Sequence, residues 1–224
     1  MCGRLVLTSS ITERIKALLG GLDVPTGLVG RYNVAPTQPL LAMTDPSMAS
    51  FTPMTWGFPP AHRDGGSLLI NARSETVDRL ASFREAFSHR RCLVWADGFY
   101  EWKRAGLPRP QPYFFYRTDR APFAIAGLWS PIPEASGAAA VVITTEANQV
   151  MHPVHDRMPV ILHPDGASLW LAPEVHPETL KALLQPFPSS AMACHPVSDR
   201  VNRSSAEGAA LLEPVTIYEQ RDLF

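Results

Sequence analysis

Apolar and polar positions alternate with two different periods along this chain, and the change of period marks out its elements. Ser10-Ile11-Thr12-Glu13 reads as a capping box, Ile15, Leu18 and Leu19 follow on one face, and Gly20-Gly21 is a stop; the spacing predicts an amphipathic helix over 10–19 with a structural role. From 21 to 66 the chain is dense in glycine and proline, among them Pro25, Pro36, Pro39, Pro46, Pro53, Pro59 and Pro60, which permits only short strands and ordered loops. Val77, Leu80, Phe83 and Phe87 then recur at helical spacing behind Ser74, which predicts a second helix over 74–88 with its apolar set in the core. Five runs rich in aromatic or β-branched residues follow at 92–96, 98–103, 113–117, 123–129 and 141–145, each bounded by turn signals. A further strand is expected at 158–162, helices at 167–171 and 177–184, and a last strand at 192–197 before a polar tail. There is no internal repeat and no strict βαβ alternation. The order favours an α+β fold, one domain over 1–224 with a mostly antiparallel, barrel-like β core, a few peripheral helices and a C-terminal tail at 205–224.

Composition narrows the class of protein. With 46% hydrophobic and 18% charged residues the chain is of globular rather than disordered type. No apolar run approaches the roughly 20 residues that span a bilayer, and no apolar h-region follows the start, so a cytoplasmic protein is expected. Cys2, Cys92 and Cys194 are scattered and odd in number, which excludes a disulfide framework and a paired-cysteine zinc site. The net charge of -1 argues against bulk affinity for nucleic acid, yet residues 1–120 hold 15 cations against 10 acids and residues 121–224 hold 5 against 11. Of the 20 cations 17 are arginines, suited to bidentate phosphate or carboxylate contacts, although an arginine-rich codon preference explains the bias as well.

Cys2 is the first chemical candidate. Removal of Met1 leaves an α-amine beside a thiol, a 1,2-aminothiol that condenses with an aldehyde through a Schiff base and closes to a thiazolidine. The α-amine, near pKa ~7.7 to 8.0, is partly neutral at pH 7, and a thiol near ~8.5 falls beside cations. Arg4 lies on the same side of an extended segment, where it lowers the thiol pKa or holds an anion, or is a solvated surface group. Asn71 and Arg73 stand at a strand-to-helix junction, with Asn71 a turn former or a functional amide. Glu101, flanked by aromatics in a strand that reads as buried, is either a general acid/base with a raised pKa or one half of a structural salt bridge, while Asp97 before Gly98 reads as a turn residue. His155 lies in a histidine-rich stretch with His152 and His163, but Pro153 and Pro159 break the spacing a helical zinc site needs; a proton carrier with Arg157 as an anion clamp fits better. Trp56 and Phe58 precede a rigid turn, and stack on bases if exposed or belong to the core if buried.

These residues fall in motifs that resemble the SRAP family, named for SOS response-associated peptidase, whose members form covalent adducts with abasic sites in DNA. The resemblance runs through MCGR (1–4), RYNVAPTQP (31–39), TWGF (55–58), NARSET (71–76), RCLVWADGFYEW (91–102), HDRMPVIL (155–162) and VSDRVNRSS (197–205). It implies that Cys2 is the N-terminal nucleophile, that Asn71 holds the linked species, that Glu101 shuttles protons near the α-amine, and that His155 assists ring opening or Schiff-base formation. Arg4, Arg73 and Arg157 would grip phosphates beside the lesion, and Trp56 with its loop would wedge or stack against neighbouring bases. Trp95 stands where the family pattern leads one to expect proline, and the pattern after TWGF is reduced to Pro59-Pro60-Ala61-His62. The implied partner is single-stranded DNA carrying abasic sites, with no cofactor, metal or membrane, no named replication-associated partner, a monomeric state and a cytoplasmic, nucleoid-associated location in a bacterium. A lyase reaction accompanies capture if the Schiff base persists. The rival readings are a thiol (auto)peptidase using Cys2 with His155 as base, and a non-catalytic DNA-binding module built on the arginine-rich half.

Overall fold

The computed structural model describes residues 2–8, 10–18, 30–45, 47, 50–59, 67–104, 109–132 and 137–217. Met1, Gly20-Gly21, Pro25, Pro46, the 60–62 turn and the last residues of the tail lie outside them. Among the described residues the strands are, in chain order, β1 (Leu5–Leu7), β2 (Arg31–Val34), β3 (Pro39–Met43), β4 (Thr52–Trp56), β5 (Asn71–Arg73), β6 (Arg91–Ala96), β7 (Gly98–Lys103), β8 (Gln111–Arg117), β9 (Phe123–Pro131), β10 (Ala138–Glu146), β11 (Arg157–Pro159), β12 (Ile161–Leu162) and β13 (Met192–Pro196). The α-helices are α1 (Ile11–Leu18), α2 (Arg84–His89), α3 (Pro164–Leu171) and α4 (Pro177–Ala182).

Strands β3, β4, β10, β9 and β6 pair in that order, and β6 returns to β3, so five strands close into a barrel with no free edge. Among the described residues every strand pairing is antiparallel except β4 with β10 and β5 with β10, which are parallel. A second sheet runs β13-β8-β7-β1-β2. Its side chains obey the twofold period of a strand: Leu5, Leu7, Phe99 and Phe115 face the main core, whereas Val6, Tyr100 and Phe114 face a smaller cluster with Val197 and Val201. Buried on both faces, this sheet reads as continuous apolar runs. The hinge between the barrel and this sheet is the β6–β7 corner, where Gly98 is required because a Cβ there would sit 2.6 Å from the Phe115 carbonyl oxygen.

The α+β class, the single domain and the barrel-like antiparallel core stand as expected, and three local expectations change. Residues 74–83 form a series of turns and only Arg84–His89 is α-helical; backbone bonds such as Thr76 N to Arg73 O and Phe83 N to Leu80 O close short turns. Val77, Phe83 and Phe87 are buried on this path, but Leu80 is 47% exposed. The expected strand at 158–162 is two, because the chain crosses from β10 to β9 at Val160, which donates to Ile143 O and accepts from Ala126 N. The polar tail packs as far as it is described: Val201 and Leu211 are buried, and short 3₁₀ turns at Asp199–Asn202 and Ala209–Leu212 cover the outer face of the second sheet.

Candidate active site

The second residue of the chain is deep inside the molecule. Cys2 is 1% exposed, and its carbonyl oxygen accepts a hydrogen bond of 2.9 Å from Nδ2 of Asn71. Asn71 begins β5 because that strand aligns with the centre of β10, Asn71 opposite Val142, and so projects from the barrel wall toward the chain start. The other amide atom, Oδ1, is buried with no partner. On the far side of Cys2 runs β7, fixed to the start of the chain by Tyr100 N donating to Arg4 O at 3.0 Å and by Leu5 opposite Phe99. That places Glu101, 4% exposed, beside the thiol. Burial, then the Glu101 charge, push the Cys2 thiol well above its ordinary range, against a smaller opposing effect of a backbone hydrogen bond from Arg4. Cys2, Asn71 and Glu101 therefore meet, and the thiol is held neutral at pH 7.

Two groups of arginines flank this centre. The Arg4 guanidinium donates to Asn33 Oδ1 at 2.8 Å and to the carbonyls of Val201 and Asn202 at 2.7 and 3.4 Å, and lies 5.9 Å from the Trp102 ring centre. Burial lowers its pKa somewhat, which leaves it a fixed cation. At the other side Arg73 is exposed at the end of β5. Arg157, on the neighbouring β11, clasps Glu75 with two bonds of 2.5 and 2.9 Å and donates to Thr144 O at 2.7 Å. The Arg157 bond, with help from Arg73, holds the Glu75 carboxyl below the usual range. His155 joins this group through its neighbour: its Nδ1 lies 3.0 Å from Arg157 N and 2.8 Å from Asp156 Oδ1. One nitrogen cannot serve both at once: without a proton Nδ1 accepts from the Arg157 N–H, and carrying one it donates to Asp156.

Trp56 does not belong to the site. It is fully buried, and its indole N–H donates to Ile70 O at 3.0 Å, so no face is open to a base; Phe58 is 5% exposed. The stacking role is corrected on that ground, since β4 points Trp56 into the barrel interior and Gly57 N is bonded to Ala140 O. Two residues that shape the site carry no sequence signal. Asn33, fully buried, holds Arg4 with its Oδ1 and three carbonyls of the C-terminal segment with its Nδ2. Asn148 ties the turn that presents His155, its Oδ1 accepting from Val150 N and Met151 N. Asp97 also exceeds its expected turn role, accepting from Thr8 N, Thr8 Oγ1 and Arg14 while 6% exposed. Among the described residues no group of three His, Cys, Asp or Glu is placed to share a metal ion.

A closed barrel is laid against a second sheet buried on both faces, and Cys2 is sealed at their junction with Asn71 and Glu101 on either side of it. The family model described as SOS response associated peptidase (SRAP) matches residues 1–204, and the chain belongs to that family. It is 37% identical over 222 residues to the abasic site processing protein YoaM of Bacillus subtilis, covering 95% of this chain and 98% of that one. It is 33% identical to the abasic site processing protein YedK of Escherichia coli, over 96% and 100% of the two chains. A crystal structure of a Bacteroides thetaiotaomicron protein superposes with a TM-score of 0.80 at 22% identity, over 96% of this chain and all of the other. A phage-related protein of Bordetella bronchiseptica superposes at 0.71 with 28% identity, over 88% and 94%.

Proposed function

We propose that this protein processes abasic sites in DNA by capturing them covalently at Cys2. The observation that carries the reading is the sealed Cys2 with Asn71 on its carbonyl and Glu101 beside its thiol; the names of the relatives point the same way. Loss of Met1 exposes the α-amine. The ring-opened sugar offers an aldehyde at C1', the amine adds to it, and loss of water gives an iminium. The amine acts first, because only it forms the iminium that the sulfur then captures. The sulfur then adds to C1' while its proton passes to Glu101, which closes a thiazolidine and releases one water overall. Asn71 fixes the backbone of the nucleophile throughout, and Arg4, Arg73 and Arg157 supply positive charge for the flanking phosphates. His155 moves protons during ring opening. If the iminium persists, β-elimination of the 3' phosphate cuts the strand, so the same groups support lyase activity. No base readout is needed for a lesion without a base, and single strands suit a site with little room.

The test is to mix mature protein with single-stranded DNA carrying one abasic site, denature, and look for a shifted band. A heat-stable shift that vanishes with Cys2→Ala and with undamaged DNA is expected; no shift, with Met1 shown by mass to be absent, overturns the reading. One extra residue before Cys2 separates it from a thiol peptidase, since amide cleavage survives the extension and thiazolidine capture does not.

A further inference from the structure

The two arginines on the Asn71 side of the site are not equally available. Arg73 is exposed and acts on the Glu75 carboxyl through its charge. Arg157 is committed: its Nη1 and Nη2 reach the two Glu75 oxygens at 2.5 and 2.9 Å, and Nη2 also donates to Thr144 O at 2.7 Å. The Arg157 side chain is 14% exposed and that of Glu75 50%, so the carboxylate is the outer member of the pair. A carboxylate and a phosphodiester offer a guanidinium the same feature, two oxygens that match its fork. Glu75 therefore fills the seat that a phosphate on Arg157 would need. Two observations set this clasp apart from an ordinary structural pair. Arg157 Nε is buried with no hydrogen-bond partner, so the guanidinium leaves a donor unanswered while it holds Glu75; a pair kept for stability alone has no reason to carry that penalty. The clasp also stands on the wall of the site. Glu75 lies four residues past Asn71, whose amide holds the Cys2 carbonyl, and the Thr144 carbonyl that receives Arg157 also receives Ser74 N at 2.9 Å, which ties the pair to the centre of β10. A half-exposed ion pair contributes little to stability, so one anion can replace another on the same fork.

We propose that Glu75 is a stand-in anion: in the free protein it occupies the phosphate seat of Arg157, and a phosphodiester of the incoming strand displaces it. Until that exchange occurs Arg157 has no charge to spare, and an intact strand is held loosely and let go. Glu75 is on this account a specificity-determining residue, which sets how tightly undamaged single strands are held beside Cys2. The inference rests on Arg73 and Arg157 as phosphate contacts in the function proposed above.

Fluorescence anisotropy of the full chain with a short undamaged oligothymidylate reads the exchange without any chemistry at Cys2. Glu75→Gln keeps the length of the side chain and removes its charge; it is expected to bind the strand about twofold to fivefold more tightly at low salt. That gain should vanish when Arg157→Gln is added, because the seat is then gone. Equal or weaker binding by Glu75→Gln would show that the carboxylate serves to position the arginine, and would overturn the proposal. A gain that persists in the double variant would reduce Glu75 to a repulsive charge and overturn it as well, as would no binding by either protein. Should Arg157→Gln fail to fold, Arg157→Lys takes its place: an ammonium is a point charge without the two-pronged fork, so most of the gain should be lost there too. Absence of a heat-stable band with abasic DNA, alongside an intact anisotropy gain, would sink capture at Cys2 and leave the exchange standing.

Discussion

At the scale of single residues, Asn71 is bonded on one side only. One end of its amide holds the Cys2 carbonyl and the other is buried with nothing to accept. A buried lone pair is tolerated where it is used, and beside Cys2 a donor to fill it would come from the reacting amine. Asn71→Ala should therefore slow adduct formation about tenfold to a hundredfold through lost positioning, while costing only ~1 kcal/mol of stability; single-turnover capture rates and urea unfolding check the two parts. Asn71→Asp keeps the acceptor but adds a charge next to Glu101, which pushes the thiol further up, so its rate should recover only as pH rises. The site was legible in the sequence where chemical character is local: a second-position cysteine, a glutamate between aromatics, an amide after an apolar run. It was illegible where role depends on what folds over a residue. Trp56 reads equally as platform or core until β4 turns it inward, and Asn33 and Asn148 work through backbone carbonyls and amides that are mostly far away in the chain.

At the scale of elements, Arg91 shows how much of an arginine bias is architecture. It stands first in β6, between α2 and α3, and donates to Phe87 O and Ser88 O at the end of α2 and to Trp170 O and Ala172 O at the end of α3. Those carbonyls have no partner within their own helices, and a cation suits the negative ends of two helices. Arg91→Leu leaves buried carbonyls unanswered and should cost roughly 2–4 kcal/mol, which for a chain of this size lowers Tm by roughly 5–15 °C. Arg91→Lys should recover only part of that, because one ammonium cannot reach four carbonyls in a fixed fork; thermal unfolding of both variants is the measurement, and equal Tm values for Lys and Arg would refute the geometric account. Element boundaries were legible from period wherever strands pair across the barrel, as at 92–96, extended by one residue to Arg91, and at 98–103. The helix expected over 74–88 failed because its apolar spacing is satisfied by a chain of turns packed on the core, with Lys181 of α4 reaching Asp78 at 2.8 Å.

At the scale of the whole molecule, charge pairs and packing make separable predictions. Hydrogen bonds from Arg157, Lys181 and Arg117 hold the carboxyls of Glu75 and Asp78 low and that of Asp119 at about 2. Such groups stabilise the fold above their unfolded values near 4.5 and 3.8, and that contribution is lost as pH falls through the folded ones. Asp97, raised by burial, acts in reverse: its contribution is full below 3.8 and is lost as pH rises through its folded value. Asp119 is 53% exposed and Asp78 27%, so solvent screening trims the Asp119 share more, and Lys181→Met and Arg117→Met should each flatten the fall in urea stability between pH 4 and 2. Packing sets a larger effect. The outer face of the second sheet presents Val6, Tyr100 and Phe114, and the segment after β13 covers it with Val201 and Leu212 while its carbonyls fix Arg4 and Asn33. A chain ending at Val197 loses that cover. At about 1.5–3 kcal/mol for each large apolar side chain returned to water, uncovering three of them costs roughly 5–9 kcal/mol, comparable to the roughly 5–15 kcal/mol that holds a domain together. It should therefore be recovered unfolded or aggregated. A chain ending at Ser204, the limit of the family match, keeps the Val201 and Asn202 carbonyls on Arg4 but loses Ala206 O from Asn33 and Glu207 from Tyr32 N. It should fold with a lowered Tm and retain capture of abasic DNA, and a chain ending at Val197 that folds as stably as this one would show that the segment is not part of the core.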